Sequence, residues 1–138
     1  MKVYKTKSVR LAGSDFREVN KNAIRIYKIL KAKTKRRAYI RSAYFQKDKI
    51  FLDIFWHHLF EKQNWRDRVR RLRYFGCAIE LIERSHFEPS TKENQNNQSE
   101  ILHRFAGITK ENELFYVHIK EDKRSGQKFL ISVFPVDT

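Results

Sequence analysis

Cysteine is almost absent from the sequence, since Cys77 is the only one among 138 residues. A single thiol excludes a disulfide framework and a thiolate metal cluster, and it fits a reducing cytoplasm. Long apolar runs are absent too: no stretch approaches the roughly 20 apolar residues of a membrane span. The basic first residues, MKVYKTKSVRLAGSDF, lack the continuous apolar core of a signal peptide. We therefore expect a cytoplasmic protein without a membrane span.

Acidic residues are scarce relative to basic ones, with 16 Asp and Glu against 30 Lys and Arg, which gives a net charge of +14. That charge opposes compaction and indicates an acidic partner. Nucleic acid suits a basic, aromatic-rich sequence, and an anionic membrane surface is the alternative. Residues 1–37 carry 13 basic and 2 acidic residues, whereas residues 99–138 are neutral. We expect RNA as the partner, no membrane, and polyanion contacts mainly in the N-terminal part.

The periodicity of apolar residues predicts a single α+β domain over residues 1–138. Residues 1–37 are expected to form a basic extension and a helix, and residues 38–87 to be helical. Residues 88–100 are polar, amide-rich and without periodicity, which indicates an exposed loop. In residues 101–135 the period becomes 2, which predicts three antiparallel strands in a meander. The expected architecture is N-terminal helices packed on a small C-terminal antiparallel sheet.

Two clusters of basic residues are candidate phosphate contacts. Arg66, Arg70 and Arg73 recur at i, i+4 and i+7 in WRDRVRRLRYFGCAIELIERS, off its apolar stripe. Arginine forks match phosphate oxygens in two-point fashion, so this face is either a phosphate-binding ridge or a solvated helix face. The block KAKTKRR is either a solvated helix end or a second phosphate contact. Its candidate residues are Lys31, Lys35, Arg36 and Arg37.

Alternation in the second and third predicted strands assigns a sheet face to each residue. In ELFYVHIKE the apolar residues at every second position are expected to face the helices, and the residues between them the open face. In QKFLISVFP the same rule turns Phe129, Ile131 and Val133 toward the helices. Matching both patterns across a hairpin requires a loop with an odd number of residues, which a loop over residues 122–126 satisfies.

This register brings six polar side chains together on the open face. The predicted pairs are Arg104 opposite His118, Tyr116 opposite Ser132, and Lys120 opposite Lys128. Two lysines placed directly opposite repel each other, which is easier to understand if an anion lies between them. The alternative is the polar surface that a three-stranded sheet ordinarily presents to solvent.

The chemistry of these residues fits phosphodiester cleavage of RNA without a metal. The sequence shows no His, Asp or Glu set with convincing metal spacing, and no HExxH, Walker or GxGxxG motif, so no cofactor is expected. Cleavage needs a base for the 2′-hydroxyl, cations for the phosphate, and an acid for the leaving oxygen. His118 titrates near neutral pH and can serve as acid or base. Arg104 and Lys120 can stabilise the charged transition state, and Tyr116 can stack a base or share in proton transfer.

The region from Trp65 to Pro135 resembles the phage-associated nucleases of the barnase–EndoU–colicin–RelE-like (BECR) superfamily. The resemblance is carried by the arginine-rich helix ending in an apolar stretch, a variable loop, and strands containing HRFAG and SVFP. It implies N-terminal helices, a small antiparallel sheet and an RNase site on that sheet. Matching by position implies roles for Arg104, His118 and Ser132.

The predicted function is therefore a toxin-like, metal-independent endoribonuclease. Two alternatives use the same surface. One is a non-catalytic RNA-binding module in which Tyr116 stacks a base. The other is an interaction protein whose basic surface docks an acidic partner, such as an antitoxin or immunity protein.

Overall fold

The computed structural model describes residues 2–61 and 64–136. In these ranges the strands are β1 (Val3–Lys5), β2 (Tyr39–Arg41), β3 (Lys49–Phe51), β4 (Ser90–Asn94), β5 (Asn97–Ile108), β6 (Leu114–Asp122) and β7 (Lys128–Pro135). The helices are α1 (Phe16–Ala32), α2 (Phe55–Phe60), α3 (Trp65–Leu72) and α4 (Phe75–Arg84). None of the helices within these ranges is long and apolar enough to cross a membrane.

The strands form one mixed sheet in the order β1-β5-β6-β7-β3-β2, with β4 paired to β5 beside β1. The strands β5, β6 and β7 are antiparallel neighbours. The pairs β1–β5 and β3–β7 are parallel. The predicted arrangement of N-terminal helices on a small C-terminal antiparallel sheet is therefore wrong. Among the described residues the sheet has seven strands, three of them from the first half of the chain, and three helices lie in the middle of the chain.

Short strands explain this error. Each of β1, β2 and β3 is three residues long, too short to show a period of two in the sequence. The region 88–100, predicted as a loop, contains β4 and the beginning of β5, which pair as a hairpin with an irregularity at Glu93 and Asn94. Polar composition indicated a loop here because both strands are largely exposed at this end of the sheet.

The basic N-terminal segment is built into the fold. The strand β1 pairs with β5. The backbone N–H groups of Lys7 and Ser8 donate to the carboxylate of Glu80 at 2.8 and 3.0 Å. Asp15 caps α1, because its side chain accepts a hydrogen bond from the backbone N–H of Glu18 at 2.9 Å. Residues 2–37 are thus part of the domain and not an appendage to it.

One face of the sheet packs against the helices and forms the core. The sheet residues with fully buried side chains are Ile50, Phe115, Val117, Ile119, Leu130 and Val133. The helices contribute fully buried side chains from each element, including Val19, Phe55, Leu72 and Phe75. The other face, called the open face below, carries the alternate residues of the same strands.

A β-bulge in β7 changes which residues reach the open face. His118 pairs with Ser132 whereas Ile119 pairs with Leu130, so Ile131 is the extra residue. Leu130 is therefore buried, and Phe129 lies on the open face. The predicted inward position of Phe129 is wrong for this reason.

Candidate nucleic-acid site on the open sheet face

Arg104, His118 and Ser132 form a row across β5, β6 and β7. Arg104 pairs with His118 and His118 pairs with Ser132. The predicted juxtaposition of Arg104 and His118 is confirmed. The other two predicted pairs are wrong, because the loop after Asp122 is one residue shorter than predicted and the bulge shifts the register by one more residue beyond it. Their true partners are Phe134 for Tyr116 and Phe129 for Lys120.

The Arg104 side chain connects His118 to two aromatic rings. Its Nε donates a hydrogen bond to Nε2 of His118 at 3.0 Å. Its guanidinium carbon lies 4.8 Å from the ring centroid of Tyr116 and 5.7 Å from that of Phe134. Because Nε2 accepts this bond, the proton of the neutral imidazole is on Nδ1. Arg104 therefore has a fixed orientation, and the rings leave its remaining N–H groups free to meet an anion.

A second arginine reaches the same row from a helix. The strand β3 pairs with β7 only at Lys128 and Phe129, so α2 and α3 pack along the rest of β7. Arg71 of α3 donates from Nη1 to the hydroxyl of Ser132 at 2.9 Å, and its Nε pairs with Asp67 at 3.0 Å. The guanidinium carbon of Arg71 lies 5.4 Å from the ring centroid of Phe134.

His118 is neutral at pH 7. Burial lowers its pKa from 6.5 to about 4, and the nearby positive charges of Arg104, Arg71 and Lys92 act in the same direction. An anion placed among these three cations would be attracted to them and would raise the pKa of His118 again. The term "Arg104 cluster" is used below for Arg104, Arg71, His118, Tyr116 and Phe134.

Two of the six side chains predicted together on the open face, Lys120 and Lys128, have other partners. Lys120 is on the open face but pairs with Glu100 at 3.3 Å, and its Nζ lies 5.4 Å from the ring centroid of Phe129. Lys128 is buried, and its Nζ donates to Asp48 at 2.8 Å and to the carbonyl of Gly126 at 3.1 Å. The structure thus gives Lys128 a structural position and separates it from His118.

The predicted arginine ridge is divided between surroundings. Arg66 and Arg70 are exposed. Arg73 donates to the carbonyl of Gly13. Arg70 and Arg73 also line a cleft of about 590 Å³ together with Arg10, which pairs with Glu113 at 2.9 Å. The ridge therefore borders a cleft beside the end of β7 and does not form one uniform solvated face.

The residues predicted in the block KAKTKRR differ in the same way. Lys31, Lys35 and Arg36 are exposed. Arg37 makes a two-point ion pair with Asp53, with Nε and Nη2 at 2.7 and 2.8 Å from the carboxylate oxygens. This pair raises the pKa of Arg37 and lowers the pKa of Asp53, the hydrogen bond between them being the main cause. Arg37 is thus held in place, whereas the other three extend into solvent.

Sequence reasoning missed three contributors to the site. Arg71 was visible only as one of five arginines between residues 66 and 73, and nothing in the periodicity indicates that it reaches Ser132. Phe134 lies two positions after Ser132 and so on the same face, but the predicted register did not place it opposite Tyr116. Lys92 lies on β4, in a segment predicted as a loop. The only signal in the sequence was the run of arginines, and it does not show which of them reaches the sheet.

A buried polar network lies on the core side of the same strands. His103 is buried, with Nδ1 2.8 Å from the Thr91 hydroxyl and Nε2 2.8 Å from the Glu121 carboxylate. The ring of Phe45 contacts its edge, with centroids 4.9 Å apart. Both imidazole nitrogens are satisfied, so this histidine links β4, β5 and β6 as a structural element.

Within residues 2–61 and 64–136, no group of three or more His, Cys, Asp or Glu side chains is arranged to hold a metal ion. No family model, no curated protein and no solved structure matches the chain. The interpretation of the site therefore depends on its own geometry and electrostatics.

Proposed function

We propose that the protein is a metal-independent endoribonuclease of the cytoplasm that cleaves RNA through attack of a 2′-hydroxyl on the adjacent phosphate. The observation that carries this proposal is the hydrogen bond of 3.0 Å between Arg104 and His118, with Arg71 beside it. Two arginines, one imidazole and two aromatic rings on one sheet face provide phosphate binding, proton transfer and base stacking. The resemblance to BECR nucleases supports the same class of reaction.

The scissile phosphate is proposed to lie between Arg104 and Arg71. Its negative charge offsets the cations that lower the pKa of His118, so that the imidazole becomes basic enough to accept a proton. The phosphate draws the Arg104 guanidinium away from Nε2 of His118, and Nε2 then takes the proton of the 2′-hydroxyl while the bond from O2′ to phosphorus forms and the bond from phosphorus to O5′ breaks. The leaving O5′ takes a proton from the Tyr116 hydroxyl. The two guanidinium groups stabilise the additional charge on the phosphoryl oxygens.

This mechanism predicts both the products and the substrate. The products are a 2′,3′-cyclic phosphate on the upstream fragment and a 5′-hydroxyl on the downstream fragment. DNA should remain intact, because it has no 2′-hydroxyl. The test is incubation of the purified protein with end-labelled RNA in excess chelator, followed by mapping of the product ends. Cleavage that requires a divalent metal, or products with a 5′-phosphate, would contradict the proposal.

A non-catalytic RNA-binding module is the second candidate, and one observation favours it. His118 has a pKa of about 4, and its Nε2 is already occupied by Arg104. If anion binding does not restore its basicity, the same surface holds RNA without cutting it. Tight RNA binding with intact RNA over the whole pH range would establish this candidate in place of the nuclease.

A further inference from the structure

A second aromatic cluster lies on the open face, away from Arg104. The residues Tyr39, Phe51, Phe129 and Lys120 are paired in register across β2, β3, β7 and β6. Each occupies the position directly opposite the next, so all four side chains share one face. This row, called the aromatic row below, runs beside the row of Ser132, His118 and Arg104, because Lys120 and His118 are two residues apart in β6.

The rings in the aromatic row contact each other and remain partly open to solvent. The centroids of Tyr39 and Phe51 are 6.2 Å apart, and those of Phe51 and Phe129 are 5.8 Å apart. All three side chains are half-buried. The main core lies on the other face of the sheet. These rings are therefore partly exposed apolar surface that the main core does not use.

Cations accompany every ring in this row. The Arg37 guanidinium carbon lies 4.3 Å from the ring centroid of Phe51 and 5.4 Å from that of Phe129. The Lys49 ammonium lies 4.7 Å from the ring centroid of Tyr39, and the Arg41 guanidinium carbon 5.5 Å from it. Exposed Lys35 and Arg36 directly precede Arg37 in the chain. Rings interleaved with cations are the arrangement that binds the bases and the phosphates of a single strand.

Mutual packing of the rings alone is the competing explanation. It accounts for the ring contacts but not for the charge, because the rings are contacted by four cations, which are Arg37, Arg41, Lys49 and Lys120. Asp53 and Glu100 offset the charges of Arg37 and Lys120, to which they are paired. The positive charge on this face matches a polyanion, and the unstacked bases of a single strand match the rings, whereas a duplex keeps its bases inside.

We infer that single-stranded RNA lies across the open face, from the Arg104 cluster along the aromatic row to the edge strand β2. The inference rests on the proposed function, since it makes the same face the substrate-binding surface. It adds a substrate class, single-stranded over double-stranded RNA, and a binding site for nucleotides away from the scissile phosphate.

Binding is measured apart from cleavage. A short labelled RNA with 2′-O-methyl groups throughout cannot be cut by 2′-hydroxyl attack, and fluorescence anisotropy gives its affinity both alone and annealed to its complement. We expect the single strand to bind more tightly than the duplex. Phe51→Leu and Phe129→Leu should each weaken single-strand binding about tenfold, the size of one stacking interaction. A third variant, Tyr39→Ala at the edge of the sheet, should weaken single-strand binding as well.

The matched control is Phe87→Leu. Phe87 is an exposed phenylalanine outside the aromatic row, and the Lys2 ammonium lies 5.6 Å from its ring centroid. The substitution removes the same ring in the same type of cation contact, and it should leave the affinity unchanged. Circular dichroism melting verifies that each variant folds. If the row variants do not fold, photo-crosslinking of the wild type to 5-iodouridine RNA decides, with adducts expected on Tyr39, Phe51 or Phe129.

The outcomes separate this inference from the nuclease proposal. Wild-type affinity in the folded row variants, duplex binding as tight as single-strand binding, or crosslinks confined to other segments would overturn the single-strand track, while cleavage could still stand. Single-strand binding that depends on the rings, with RNA left uncut, would support the track and reject the nuclease. Failure of the wild type to bind single-stranded RNA would reject both.

Discussion

Arg104 donates a hydrogen bond to His118 across β5 and β6, with Nε 3.0 Å from Nε2. The bond requires Nε2 to be unprotonated, so His118 cannot become an imidazolium while Arg104 donates to it. The charge state of His118 is thereby linked to any anion that offsets Arg104, and that link can be measured with or without cleavage.

The first prediction concerns stability and pH. The pKa of His118 is about 4 in the folded protein against an ordinary value of 6.5, so between these values the unfolded chain binds a proton that the folded chain does not. The free energy of unfolding should therefore decrease as the pH falls from about 6.5 to 4, by roughly 2–3 kcal/mol from this group, and the decrease should end below that window.

The variant His118→Gln should lack this pH-dependent component when urea unfolding is followed by tryptophan fluorescence. His86→Gln, at an exposed histidine, is the control. Parallel curves for His118→Gln and the wild type would show that the pKa of His118 is not lowered.

The second prediction concerns turnover. Arg104→Gln removes a guanidinium beside the proposed phosphate, so single-turnover cleavage should slow about 10²- to 10³-fold, as for other groups that stabilise developing negative charge. The same change removes one cause of the lowered pKa of His118, which should rise in an NMR titration. Arg124→Gln, in the turn between β6 and β7, deletes an equal charge and should have little effect. Cleavage at the wild-type rate in Arg104→Gln would remove this arginine from the mechanism.

The third prediction concerns the basic segment between α1 and β2. Deletion of residues 1–37 is not a usable test, because it removes buried Val19 and Ala23 together with the charge. Changing exposed Lys31, Lys35 and Arg36 to Gln should instead weaken RNA binding and reduce the salt dependence of the affinity. The logarithmic slope should fall by about 0.7 for each phosphate that the variant no longer neutralises.

A control for the third prediction is the triple change of Arg17, Lys21 and Lys28 to Gln. These residues are also exposed and lie earlier on α1 than Lys31, and α1 packs against α3 and α4. Their removal changes the net charge by the same amount, and we expect a smaller effect. Equal effects of the two triples on the salt slope would indicate a diffuse charge contribution without a defined path for the RNA.

The fourth prediction concerns Lys128, which the sequence places in the binding site and the structure places against Asp48. Lys128→Gln leaves the buried position without its ion pair, and we expect a loss of about 1–3 kcal/mol in the free energy of unfolding. Lys123→Gln breaks a more exposed pair with Glu93 and should cost well under about 1 kcal/mol. Chemical denaturation measures both. If Lys128→Gln is as stable as the wild type but binds RNA less tightly, its predicted role in binding is correct after all.

The alternation of apolar and polar residues in β6 was sufficient to place Arg104 opposite His118. Side chains in a strand alternate between two faces whatever the rest of the fold does, and Phe105 and Val117 must share the buried one. The polar partners beside them then fall together on the open face. Local physics therefore accounts for the central pair of the site.

The remaining members of the site depend on features without a local signature. Ile131 is the extra residue of the bulge, and because of it Phe129 lies on the open face with Ser132 and Phe134, whereas strict alternation would place Phe129 on the opposite face from both. Arg71 reaches Ser132 because β3 ends at Phe51 and leaves the side of β7 to α3. Each depends on where another strand begins or ends, which is decided by packing between segments far apart in the chain.

The aromatic row shows the same division most clearly. Tyr39 and Phe51 belong to strands of three residues, in which no period can be recognised, and Phe129 is more than 70 positions further along the chain. Charge, aromatic content and the pairing of Arg104 with His118 follow from composition and from alternation, because both are properties of the chain over a few residues. The row across β2, β3, β7 and β6 exists only because parallel pairing of β3 with β7 aligns distant segments, and that alignment is a property of the folded sheet.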